Sequence, residues 1–129
     1  MNVVLWVLQV LLALHTLAGA LWKLSNAEAQ VPSLAALPHA LWLALVPIEL
    51  ACALALVIPA VPSLRARLAR APSIAATVIA AEMLLFTGVS IASGHAVAGE
   101  IGYWVVVAAL SGVIAGGRTS VSPLASHAV

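Results

Sequence analysis

Hydrophobic residues in this chain occur in long blocks rather than in a short alternation with polar ones. Four apolar runs cover about residues 3–22, 41–59, 73–93 and 101–117. Each approaches the roughly 20 residues that an α-helix needs to cross a bilayer. The pattern predicts an all-α fold, a bundle of four transmembrane helices in a single membrane domain over residues 1–129, with a flexible tail over 118–129.

Composition supports a lipid environment. The chain has 129 residues, of which 64% are hydrophobic and only 7% charged, whereas a soluble domain carries about 25% charged residues. The formal net charge of +1 offers no basic surface, so nucleic acid is not an expected partner. A cleaved signal sequence is the competing interpretation of the first run, but no Lys or Arg precedes that run.

Basic residues indicate the orientation of the bundle. Three arginines lie between positions 65 and 70, in the loop after the second run, and Arg118 follows the fourth run. The opposite side has only Lys23, which we interpret as a cation reaching the membrane surface. The positive-inside rule therefore predicts a multi-pass protein of the cytoplasmic (inner) membrane, with both termini in the cytoplasm and membrane lipid around the helices.

Three titratable side chains fall at a similar depth. Glu49 lies about ten residues into the second run, Glu82 about nine into the third from the opposite side, and His15 about twelve into the first. A charged group at a helix centre costs about 2.5 to 3.5 kcal/mol on insertion scales. We therefore expect these side chains to face each other inside the bundle.

Buried acids of this kind suit proton transfer. Burial and a neighbouring carboxylate both disfavour ionisation, so we expect at least one of Glu49 and Glu82 to stay protonated. A neutral acid in an apolar pocket is a good general acid. The hypothesis is a pocket for a lipophilic small molecule, in which the two glutamates donate and accept a proton and His15 orients them. The chemistry would be isomerisation, cyclisation or epoxide opening without a redox cofactor. The alternative is a polar clasp that fixes helix packing without turnover.

Further residues are predicted to line the pocket or to have structural roles. The predicted ligand contacts are Gln9, Thr16, Trp42, Cys52 and Phe86. Cys52 is most simply explained as a small core residue. At the outer ends of the second and third runs, His39, His95 and Glu100 match no metal-binding spacing and are interpreted as interfacial.

Two helix features have structural consequences. Pro47, two residues before Glu49, removes a backbone hydrogen bond and predicts a kink in the second span. Ala108, Gly112 and Gly116 recur every four residues, and such a small-residue stripe would suit a homodimer.

The order of these motifs resembles the DoxX-like family of small four-helix membrane proteins. The matching segments are the opening 5–14 with Ala18-Gly19 and Lys23-Leu24, Pro47-Ile48-Glu49-Leu50, Leu56-Val57-Ile58-Pro59, Gly94-His95 with Glu100, and Gly117-Arg118. The resemblance covers nearly the whole chain and rests on low-complexity apolar motifs.

The resemblance implies a four-helix fold in which Glu49 and His95 occupy family positions. It also implies association with membrane redox systems, so an accessory subunit of a quinone-linked complex is an alternative function. A small proton-coupled carrier is another. His15 and Glu82 fall where the family usually has apolar residues, which favours acid–base chemistry. By analogy, the arrangement is similar to membrane sterol isomerases and terpenoid cyclases, which protonate an alkene or epoxide with buried acids.

Overall fold

The protein is built from four long helices joined by short connections. A computed structural model describes residues 2–121, 123 and 124, and all regular structure within these residues is helical. The helices are α1 (Asn2–Ser25), α2 (His39–Val57), the short α3 (Pro62–Arg65), α4 (Ala71–Ala92) and α5 (Ala98–Gly116). The four long ones are long and apolar enough to span a membrane, as the hydrophobic pattern predicted.

Proline and glycine mark several helix ends. Pro72 lies in the first turn of α4, where its missing N–H removes no helical hydrogen bond. Gly94 follows α4 with φ +75°, the left-handed conformation that a glycine adopts readily after a helix. Pro47 lies inside α2, and the helix continues through it to Val57.

Two helices extend beyond their regular ends. A 3-10 turn, Ile58–Ala60, prolongs α2, and a π-helical turn, Gly117–Val121, prolongs α5. The flexible tail predicted from residue 118 is therefore helical up to Val121. The rest of that predicted tail, apart from residues 123 and 124, lies outside the described residues.

The long helices pack in a ring that is open on one side. α1 packs against α2, α2 against α4, and α4 against α5, whereas α1 and α5 touch at few positions. Leu56, Ile79 and Ile114 are among the fully buried side chains of the core between them. The unequal contacts leave the seam between α1 and α5 as the weakest side of the bundle.

The connector between α1 and α2, residues 26–38, folds over one end of the bundle. It forms two 3-10 turns, Glu28–Gln30 and Pro32–Leu34, and Leu34 and Leu37 join the core. The connector is polar and alanine-rich in sequence. Its spaced leucines explain why the loop packs inward and closes that end.

The opposite end is held by a buried arginine. Arg118, which follows the fourth apolar run, is only 2% exposed. Its Nε donates to Gln9 Oε1, its Nη1 donates to Asn2 Oδ1 over 2.5 Å, and its guanidinium lies 5.1 Å from the Trp6 ring centroid. Gln9 Nε2 in turn donates to the Leu56 carbonyl over 2.6 Å. Side-chain amides and an aromatic ring therefore replace water around the Arg118 guanidinium within the protein.

The small-residue stripe of α5 faces outward. Gly112 and Gly116 are exposed and Ala108 is half-buried against the core. The predicted homodimer through these residues stays a prediction.

Adjacent glycines give a test of the contact between α1 and the end of α5. A β-carbon added at Gly117 would lie 2.6 Å from Leu5 Cδ2, and Leu5 is fully buried, whereas one at Gly116 would meet nothing within 4 Å. Gly117→Ala should therefore destabilise the protein by about 1 to 3 kcal/mol. Gly116→Ala should be neutral or slightly stabilising, since alanine favours helix. Thermal unfolding of both variants in detergent measures the difference, and equal midpoints would contradict this contact.

Candidate functional site

A buried lysine between two buried glutamates forms the centre of the site. Lys23 Nζ lies 2.7 Å from Glu49 Oε1 and 3.5 Å from Glu82 Oε1. The side chains are 6%, 4% and 3% exposed, respectively. α1, α2 and α4 thus each contribute one charged group, which we call the Lys23–Glu49–Glu82 cluster. Glu49 and Glu82 meet inside the bundle, and a cation that the sequence placed at the surface joins them.

The position of Lys23 corrects its interpretation as an interfacial cation. Lys23 is near the end of α1, which runs to Ser25. Side chains on a helix tilt toward its N-terminus, so a long chain at this position extends back into the bundle rather than out to the surface. Because Glu49 is within its reach, the ammonium pairs with the carboxylate instead of with water.

Aromatic rings complete the surroundings of the ammonium group. Lys23 Nζ lies 5.2 Å from the ring centroids of both Trp42 and Phe86. Such contacts stabilise a cation by about 2 kcal/mol when it is desolvated. Rings and carboxylates together therefore replace the hydration shell that Lys23 loses on burial.

The cluster lies in the wall of a cavity of about 460 Å³. This volume falls within the range of small-molecule sites, roughly 300 to 1,000 Å³. Its aromatic lining residues are Trp22, Trp42, Phe86, Tyr103 and Trp104. Its polar ones are His15, Thr16, Lys23, Glu49, Glu82 and Glu100. The connector contributes Val31 and Leu34. Apolar walls with a few grouped polar side chains are typical of ligand sites.

His15 lines this cavity but is held by a different partner from the one predicted. Its Nε2 hydrogen-bonds to the Tyr103 hydroxyl, and the two rings lie 5.4 Å apart, centroid to centroid. Within residues 2–121, no hydrogen bond joins His15 to Glu49 or Glu82. The acidic groups are oriented by Lys23 instead.

The predicted ligand contacts divide into two groups. Trp42, Phe86 and Thr16 line the cavity, and the buried Thr16 hydroxyl has no hydrogen-bond partner among the described residues. Gln9 and Cys52 do not line it. Gln9 binds Arg118 at the far end of the bundle, and Cys52 packs in the core.

The predicted interfacial residues have separate environments. His39 Nδ1 lies 2.8 Å from Glu28 Oε2, and this hydrogen bond lowers the pKa of the Glu28 carboxyl. Glu100 accepts a hydrogen bond from Ser33 and lines the cavity, so it is part of the site rather than only interfacial. His95 is exposed in the connection between α4 and α5.

Several lining residues were missed by the sequence analysis. Lys23 shares a helix face with Gln9 and Thr16 at seven-residue spacing, and this spacing was the available signal. Tyr103 and Trp104 lie at the start of the fourth apolar run, where aromatic residues normally indicate a membrane interface. Their residue type alone could not distinguish an interfacial role from a role in the cavity wall.

No family model, curated protein or solved structure matches the chain. The resemblance to DoxX-like proteins therefore stays a prediction. Over the part of the chain that the structure describes, no group of three or more His, Cys, Asp or Glu side chains is placed to hold a metal ion.

Removal of Lys23 tests the energetics of the cluster. Lys23→Met leaves two buried carboxyls without their cation and should destabilise the fold by about 3 to 5 kcal/mol. Adding Glu49→Gln and Glu82→Gln to Lys23→Met should recover most of that loss, because the uncompensated charge is then gone. Thermal unfolding in detergent measures both effects. Arg67→Met, which removes an exposed cation, should change stability by less than about 0.5 kcal/mol. If the stability losses of the three substitutions simply added in the triple variant, this account would be contradicted.

Proposed function

We propose that this protein is an integral membrane protein that binds a lipophilic small molecule in the cavity beside the Lys23–Glu49–Glu82 cluster and performs acid–base chemistry on it. The observation that carries the proposal is a charged cluster in the wall of a ligand-sized aromatic cavity. A clasp that served only helix packing would need no such space. Four membrane-spanning helices suit a ligand that dissolves in lipid.

Unsatisfied polar atoms on the cavity wall support a ligand with a polar group. Thr16 Oγ1 and His15 Nδ1 are buried atoms without a hydrogen-bond partner among the described residues, and both side chains line the cavity. A buried polar atom without a partner costs about 1 to 3 kcal/mol. A ligand oxygen near them would recover part of this cost, so the ligand's polar end belongs at this side of the cavity.

The cluster provides both a proton donor and a proton acceptor. With two ionised carboxylates and one ammonium it would carry a buried net negative charge, so one additional proton makes it neutral. Glu49, at 2.7 Å, is the closer partner of Lys23, so the additional proton belongs on Glu82, at 3.5 Å. Glu49, the closer partner of the Lys23 ammonium, is then the acceptor.

A balanced reaction follows from these roles. Glu82 gives its proton either to an alkene carbon, where the π electron pair forms the new C–H bond, or to an epoxide oxygen, where an oxygen lone pair forms the O–H bond and the C–O bond breaks with its electron pair moving to oxygen. Either step leaves a positive charge on an adjacent carbon of the substrate. Glu49 removes a proton from a neighbouring carbon, and the freed electron pair forms the new double bond. The net change is an isomerisation or a ring opening that consumes no oxidant or reductant. Aromatic faces such as Trp42 and Phe86 would stabilise positive charge on the substrate between the two steps.

Blocking the cavity tests ligand binding. Gly19 lines the cavity, and a β-carbon there would lie 3.8 Å from Glu49 Oε1, so Gly19→Leu places a side chain in the space. Gly88→Leu is the control, because Gly88 is exposed and has open space around it. The probe is retinol, an uncharged lipophile that accepts energy from tryptophan. Gly19→Leu should weaken energy transfer from the cavity tryptophans to retinol at least about tenfold, and Gly88→Leu should leave it unchanged. Equal binding by both variants would contradict the cavity as the site.

Isotope labelling tests the chemistry without a known substrate. Proteoliposomes in D₂O are incubated with a lipid extract of the producing cells, and mass spectrometry detects lipids that gain carbon-bound deuterium. Glu82→Gln should lower this labelling by about 100-fold or more, the usual contribution of a general acid. Cys52→Ala, a change in the core of α2 outside the cavity, should leave it unchanged. If labelling were undiminished in both Glu82→Gln and Glu49→Gln, the catalytic role of the two glutamates would be refuted. Ligand binding would then remain as the proposed function.

A further inference from the structure

The walls of the cavity differ sharply in exposure. The lining residues from α2 and α4, among them Trp42, Ile79 and Phe86, are all buried. On α1 and α5, by contrast, Trp22 is 44% and Tyr103 49% exposed while lining the same cavity. A large side chain that lines a cavity on one face and is exposed on the other forms a wall only one residue thick. The thinnest wall of the cavity therefore lies along the seam between α1 and α5.

The end of the bundle above the cavity is closed by the connector. Val31 and Leu34 of the connector line the cavity from that side. Several hydrogen bonds hold the connector, among them one from Ser33 to Glu100, one from Trp42 Nε1 to the Asn26 carbonyl over 2.9 Å, and one between Glu28 and His39. Entry from the aqueous side would require these bonds to break together.

The contacts that hold α1 to α5 differ in strength along the seam. Near one end, Leu5 packs on Gly117 and Gln9 binds Arg118, so the helices are locked there. Beside the cavity, a hydrogen bond between the half-buried His15 and the exposed Tyr103 joins α1 to α5. The rotation of two side chains would open this part of the seam to the bilayer.

We infer that the ligand is an uncharged, lipid-soluble molecule that enters laterally from the bilayer between α1 and α5, through a portal closed by the His15–Tyr103 hydrogen bond. This inference rests on the proposed function. Glu49, Glu82 and Glu100 all line the cavity, and its one lysine is already paired, so an anionic group would face carboxyls. A molecule that crosses hydrocarbon to reach the portal is also favoured when uncharged. A hydroxyl, carbonyl or epoxide oxygen satisfies both conditions.

A reversible cross-link across the portal tests the entry route. His15→Cys and Tyr103→Cys are combined with Cys52→Ala and joined with a bis-methanethiosulfonate reagent that spans two side chains. Retinol-loaded vesicles are then added to the protein in proteoliposomes, and the rate of tryptophan-to-retinol energy transfer is recorded. The cross-link should slow this rate at least about tenfold, and dithiothreitol should restore it.

A second cross-link provides the control. Leu17→Cys with Leu50→Cys, also in Cys52→Ala, joins α1 to α2 across an outer groove that both residues line. This cross-link should leave the rate unchanged. Retinol loaded before the His15–Tyr103 positions are cross-linked should stay bound, which shows that the cavity itself is intact. An unchanged rate after cross-linking at 15 and 103 would overturn the portal and leave ligand binding in place. No energy transfer from the protein's tryptophans to retinol before cross-linking would contradict the proposed function instead.

The charge of the ligand is tested with retinoate, the carboxylate counterpart of retinol. At pH 8, retinoate should bind the unmodified protein at least about tenfold more weakly than retinol does. Equal affinity would overturn the assignment of an uncharged ligand without affecting the entry route.

Discussion

A single ammonium group shared by two carboxyls is the interaction on which the site depends. Each member of the Lys23–Glu49–Glu82 cluster comes from a different long helix, and each would be costly alone in hydrocarbon. Together they satisfy one another and fix the relative positions of α1, α2 and α4. The same arrangement places two carboxyls and an ammonium in the wall of the cavity. The proposed acid–base chemistry would therefore use the same three side chains that fix the helices.

The bundle is asymmetric about this cluster. At one end, Arg118, Gln9 and Asn2 join the beginning and the end of the described chain through buried hydrogen bonds. At the other end, the helices enclose a cavity, and a folded connector covers it. The rigid end holds the helices in register, so space at the opposite end does not separate them. A lipid-embedded site needs both properties, because lipid supplies no inward pressure of the kind that apolar burial supplies in water.

The sequence was sufficient for the helices and for part of the site. Apolar runs of spanning length identified the four long helices, and depth counting placed Glu49 and Glu82 in one layer because helical rise is regular. The sequence did not identify Lys23 as their partner, because an interfacial lysine would also lie near a helix end. The pairing of His15 with Tyr103 depends on where α5 packs, which periodicity alone does not fix. The same limit applies to Gln9 and Cys52, whose helix faces were known but whose neighbours were not.

The pairing of Lys23 with Glu49 has a consequence for biogenesis. These two residues lie in consecutive helices, so both have been synthesised before Glu82 emerges from the ribosome. α1 and α2 can thus enter the bilayer as a hairpin whose opposite charges cancel. Glu82 arrives later in α4 and meets a lysine that is already neutralised. The free-energy cost of moving Glu82 into the bilayer is therefore lowest when its carboxyl takes up a proton from water during insertion. The acid would then be loaded for its first reaction by the assembly of the protein itself.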